Sequence, residues 1–107
     1  MPLEFAEVIL PIPIEKAFTY SIPHDLASMV NIGHRVIVPF GRRKFLTGVV
    51  RSFATKAPEG FEIKEIATLY DYFEIQPLGN NNFLIRDNMV ADVEDLKNIN
   101  KTIIELG

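Results

Sequence analysis

Between Leu26 and Pro58 the chain carries six bases, Arg35, Arg42, Arg43, Lys44, Arg51 and Lys56, and no acid. Three of them are consecutive in Gly41-Arg42-Arg43-Lys44, a turn-like composition from which long cationic side chains reach solvent. The chemistry open to such a stretch is electrostatic. It can pair with the phosphates of a polyanion, or it can simply solvate one face of a neutral domain. A formal net charge of −3 does not oppose the first reading, because salt confines each field to about 8–10 Å. Residues 1–72 hold eight bases and eight acids, and the acidic excess lies in residues 73–107.

Other chemistries lack their residues. There is no cysteine, which excludes disulfides, thiolate nucleophiles and thiolate zinc sites. Two histidines, His24 and His34, are too few for a histidine-dominated metal centre. No phosphate loop, HExxH or GxSxG motif occurs. The acids at Glu59, Glu62 and Glu65 and at Asp92, Glu94 and Asp95 are close in sequence, but without a partner in a pocket they read as solvated faces. No cofactor, no metal and no enzyme activity are expected of this chain by itself. No stretch approaches the roughly 18 apolar residues of a membrane span. The leader Met1-Pro2-Leu3-Glu4 lacks the bases of a signal peptide, so a cytoplasmic location is expected.

The elements that must position these residues are mostly strands. At 107 residues, with 48% hydrophobic and 23% charged content, the chain has one domain's worth of core. Glu4–Leu10 begins with alternation and ends β-branched, and Pro11 and Pro13 stop it. Ala17–Ile22 alternates again, His24–Asn31 is long enough for a helical turn, and Arg35–Phe40 is apolar on both faces, as a central strand would be. Phe45–Phe53 pairs back as a hairpin arm, with Gly48 marking a bulge or a close backbone approach. Glu62–Tyr70 fits helix or strand, and its β-branched content favours strand. The fold class expected is mainly β: a small antiparallel barrel-like domain of about five to six strands with a C-terminal α-helix. After the polar break Gly79–Asn82, Phe83–Arg86 reads as one more strand, and a helix capped by Asp87 or Asn88 runs to about Leu106. Its stripe of Val90, Val93, Leu96, Ile99, Ile103 and Leu106 can pack on the barrel as a lid or meet a partner.

Three segments carry a more specific signal. These are Val8-Ile9-Leu10-Pro11-Ile12-Pro13-Ile14 followed by Phe18-Thr19-Tyr20; Gly33 to Arg43, with its Arg-Val-Ile-Val-Pro-Phe-Gly core; and Gly48-Val49-Val50 followed by Ile63-Lys64-Glu65-Ile66. In this order and spacing the chain resembles, over residues 4–72, the N-terminal DNA-binding domain of the primosomal protein N′ family, the bacterial replication-restart helicases. The resemblance implies a module that recognises the 3′ end of a DNA strand at a branched or stalled fork. It implies a 3′-end pocket of Phe18, Thr19, Gly41 and Lys64, with Arg35, Arg42, Arg43 and Lys44 following the DNA backbone. The family often has aspartate where Thr19 stands; a hydroxyl there can still hydrogen-bond a sugar oxygen or a base edge. By residue type alone Phe18 reads equally as a core ring, Gly41 as a plain turn glycine and Lys64 as a solvated lysine.

The expected division is therefore a 3′-end-binding β domain over 1–72 and a divergent extension over 73–107, which does not follow the family pattern. The family's motor lobes and zinc insertion are absent, so no helicase action is expected of this chain alone. DNA is the expected partner, with primosome or single-strand-binding proteins and a homodimer through 87–107 as further candidates. Two readings of other classes stay open, an SH3-like protein-interaction barrel and a self-associating structural domain.

Overall fold

A computed structural model describes residues 4–41, 44–60, 62–70, 75–86 and 89–106. Alternation places β1 (Phe5–Ile9) with Ala6 and Val8 fully buried and Glu7 half-buried on the opposite face. The two prolines then leave the ladder, and three successive i→i+2 hydrogen bonds, of 2.8–2.9 Å, carry the chain from Leu10 to Lys16. It returns as β2 (Phe18–Ser21), antiparallel to β1 with Glu7 opposite Thr19. A single 3-10 turn, His24–Leu26, seats Leu26 in the core. The hairpin of β3 (Arg35–Pro39) and β4 (Phe45–Ala54) follows, and β5 is short, Thr68–Leu69.

These strands form one antiparallel sheet in the order β2-β1-β4-β3-β5. Its edges are strapped together by residues 64–69. Ser21 N–H donates to Lys64 O (2.9 Å) and Ile66 N–H to Ser21 O (3.0 Å) on the β2 edge, and Ala67 N–H donates to Ile37 O (2.7 Å) of β3, where the stretch becomes β5, the other edge. The sheet thus curls into the expected barrel-like form. The strand read over Glu62–Tyr70 shrinks to an isolated bridge at Glu65 and the two residues of β5, because this stretch serves two edges in turn.

Gly48 is a close approach. A Cβ there would come within 2.7 Å of Ile9 O and collide with Val8 and Leu10. The bulge lies a few residues on, where β4 spends Arg51 between the partners of Glu7 and Val8. Gly48→Ala is therefore expected to destabilise the fold by about 1–3 kcal/mol, as overpacking does. A denaturation midpoint equal to wild type would refute the close packing of β1 on β4.

The extension holds three strands where the sequence suggested one. β6 (Gln76–Gly79), β7 (Asn82–Arg86) and β8 (Met89–Asp92) form a second antiparallel sheet, and α1 (Val93–Leu106) follows. Asn80 and Asn81, at φ 52° and 62°, make the tight β6–β7 turn that Asn-rich sequence favours. The caps read at Asp87 and Asn88 lie outside the described residues. The cap observed is Asp92. Asp95 N–H donates to its Oδ1 (2.9 Å), and Asp92 N–H donates back to Asp95 Oδ2 (3.1 Å), a reciprocal capping box. Val90 thus belongs to a strand and is exposed, while Leu96 and Ile99 carry the helix onto the core.

β3 explains why the two sheets stay together. Val36 and Val38 enter the barrel core, whereas Ile37 enters a second cluster with Phe45, Ala67, Ile85, Ala91 and Ile99. Its doubly apolar pattern is satisfied by the barrel on one face and the extension on the other. Among the described residues no helix is long and apolar enough to cross a membrane.

Candidate functional site

A cavity of about 240 Å³ opens where the edge strand β2, the end of β3 and the strap converge. Lys16–Tyr20 form one wall, Pro39-Phe40-Gly41 the second, and Pro58 with Glu62-Ile63-Lys64 the third. The turn wall is held by Phe40 N–H donating to Lys44 O (2.9 Å), with Gly41 at φ 66°. That φ favours glycine, and among the described residues, its chain neighbours aside, none comes within 4 Å of where its Cβ would stand, so a ligand can approach the backbone. Lys64 is fixed twice, through its carbonyl to Ser21 and through Nζ, which donates to Gly41 O (3.0 Å). An ammonium has three donors, so two remain for an anion.

The Phe18 ring is half-buried, edge-to-face with Phe40 at 5.5 Å between centroids. Lys16 Nζ stands 5.1 Å from the Phe18 centroid, which puts a cation beside the aromatic wall. Tyr20 is buried, and its phenol donates to Pro39 O (2.9 Å), bracing β2 against β3. Burial pushes its pKa up to about 12, so at neutral pH the group remains a donor. Thr19 Oγ1 donates to the Glu7 carboxylate, 3.3 Å from each oxygen.

Aromatic rings, an open glycine backbone and two ammonium groups can stack a planar base, admit a sugar and pair with phosphate. At about 240 Å³ the hollow falls below the roughly 300 Å³ at which small-molecule pockets begin, the scale of one base rather than a chain of them. Among the described residues no cluster of three or more His, Asp or Glu could hold a metal.

Phe18, Thr19, Gly41 and Lys64 all line this one cavity, although some 46 residues separate the first from the last. Lys44 is exposed and lines a neighbouring hollow of about 280 Å³ that shares Pro39 and Gly41 with the first and also meets Asn82, Val90, Asp92 and Asp95. Arg35 lies at the opposite end of β3, about 13 Å along the strand from Pro39, and its guanidinium sits 4.3 Å over the Tyr70 ring. Arg42 and Arg43 lie outside the described residues. Lys16, Tyr20 and Phe40 were not singled out from sequence. Lys16 lies in a bend before β2 and outside the strand read from sequence, so strand periodicity did not reach it.

Residues 7–85 match the family described as the 3′DNA-binding domain (3′BD). The chain is 56% identical over 46 residues to the PolC-type DNA polymerase III of Clostridium perfringens, a match covering 43% of this chain and 3% of the polymerase. It is 32% identical over 95 residues to the replication restart protein PriA of Bacillus subtilis, covering 84% of this chain and 11% of that protein. With the PriA of Buchnera aphidicola it shares 44% over 50 residues, 47% of this chain and 6% of the relative. The chain therefore spans only a small fraction of the length of each.

Proposed function

The chain belongs to the 3′DNA-binding domain family, and on that premise we propose that its cavity takes the terminal nucleotide of a DNA 3′ end. In this reading Phe18 stacks the last base, Gly41 admits the sugar-phosphate to its open backbone, and Lys64 and Lys16 neutralise phosphate. Thr19 hydrogen-bonds the terminal sugar. Lys44, Arg42 and Arg43 follow the strand away from the pocket, and Arg35, at the far end of β3, meets a more distant phosphate or duplex arm. The observation that supports this most is the convergence of Phe18, Thr19, Gly41 and Lys64 on one hollow with two ammonium groups at its wall.

We further propose that end recognition resides in residues 1–72, since the cavity walls all fall within 16–64, with 73–107 as an extension packed on the barrel. The physiological setting proposed is replication restart, with the module acting within or beside a longer helicase on forked DNA. Catalysis would then lie outside these residues.

The test is fluorescence anisotropy with a labelled single strand that has a free 3′ end, competed by a linear strand and by a circular strand of the same composition. Micromolar affinity that weakens with salt is expected, with a log–log slope of about −0.7 for each phosphate contact. The linear strand should compete and the circle should not. Equal competition would overturn end recognition.

A further inference from the structure

We propose that Glu7 is a specificity-determining positioning residue, which makes Thr19 an acceptor and so selects a 3′-hydroxyl over a 3′-phosphate. This deepens the proposed function and rests on it.

β1 and β2 place Glu7 directly opposite Thr19, both half-buried on the face away from Ala6 and Val8. A threonine hydroxyl has one hydrogen to donate and two lone pairs with which to accept. Here the hydrogen is committed, since Oγ1 donates to the Glu7 carboxylate at 3.3 Å from either oxygen. Thr19 also lines the cavity. What it can offer a ligand is therefore a lone pair, which suits a group that donates. A sugar hydroxyl donates; a terminal phosphomonoester, mostly dianionic at neutral pH, chiefly accepts.

Glu7 acts on the ligand a second way. Its negative charge lies one hydroxyl beyond the cavity wall. A terminal phosphomonoester carries roughly −1.5 to −2, so the carboxylate repels it, while a neutral hydroxyl feels no such penalty. The neighbouring ammoniums, Lys16 and Lys64, attract phosphate of any kind and cannot discriminate on their own. A second carboxylate, Glu62, stands exposed on the third wall, but the carboxylate hydrogen-bonded to Thr19 is that of Glu7, so Glu7 acts at the Thr19 side of the pocket without touching the ligand.

Glu7→Gln separates these roles, because glutamine keeps the shape and the oxygen but not the charge. Anisotropy titrations would use the whole chain with two otherwise identical oligonucleotides, one ending in a 3′-hydroxyl and one in a 3′-phosphate. Wild type is expected to favour the hydroxyl end by about tenfold, the upper end of what one neutral hydrogen bond contributes. In Glu7→Gln the phosphate end should bind at least about fivefold tighter than it does to wild type, while the hydroxyl end weakens or stays level. A general structural lesion would weaken both. Phosphate-end affinity that is unchanged or lower in the variant overturns the role of Glu7 while leaving end binding intact. Failure of wild type to bind either oligonucleotide overturns the proposed function itself, and this inference with it.

Discussion

Phe18→Ala is expected to weaken binding of a 3′-ended strand by about 5- to 150-fold, the loss of about 1–3 kcal/mol that one stacked base contributes. The ring is placed for this. It is half-buried at the edge strand, it forms a wall of the cavity, and it meets Phe40 in a perpendicular rather than a stacked pair. Fold stability should fall less than for a fully buried phenylalanine, because solvent already reaches part of the side chain. Phe18→Trp, which retains a stacking surface, should hold most of the affinity. Anisotropy measured beside a thermal melt decides the matter. A variant that melts early but binds like wild type would make Phe18 a packing residue and remove the platform from the proposed site.

Ile99→Ala is expected to cost about 2–5 kcal/mol of stability, the range for truncating a buried isoleucine. Ile99 is fully buried and holds α1 against Ile37 of β3 and Phe45 of β4. For a domain with a total stability of about 5–15 kcal/mol, that is a large share. A domain of about 100 residues loses roughly 4–8 °C per kcal/mol, so a drop of at least about 8 °C is predicted. Urea denaturation supplies the sharper reading. One cooperative transition shifted as a whole means that the extension and the barrel unfold together. A barrel transition left in place while only helix is lost would show that Ile37 does not depend on the cover α1 gives it.

Local chemistry was enough for the hairpin of β3 and β4 and for the proline stop after β1, since each depends on neighbours along the chain or on a residue's own backbone limits. At Gly48 it left a bulge or a close approach open, and the contact with Val8, Ile9 and Leu10 across the sheet settled it. It was not enough for β6, whose Gln76-Pro77-Leu78-Gly79 contains both residues that strands disfavour. Nor could it separate β8 from α1. Val90 and Val93 are three apart, which suits a helix, and spacing alone cannot show that β7 has already claimed residues 89–92 as a ladder partner.

The residue types of a polyanion site, the acid-free cationic stretch and the strand-rich class were dictated by the chain's own order of side chains, because charge and period are properties of neighbours. Assembly alone decided that Phe18, Gly41 and Lys64 face one hollow, that Arg35 turns to Tyr70 instead, and that Glu7 takes the Thr19 hydrogen. Those outcomes depend on strand register and on how the strap closes the sheet. Register and closure are set by burial summed over the whole barrel, a quantity that no single segment contains.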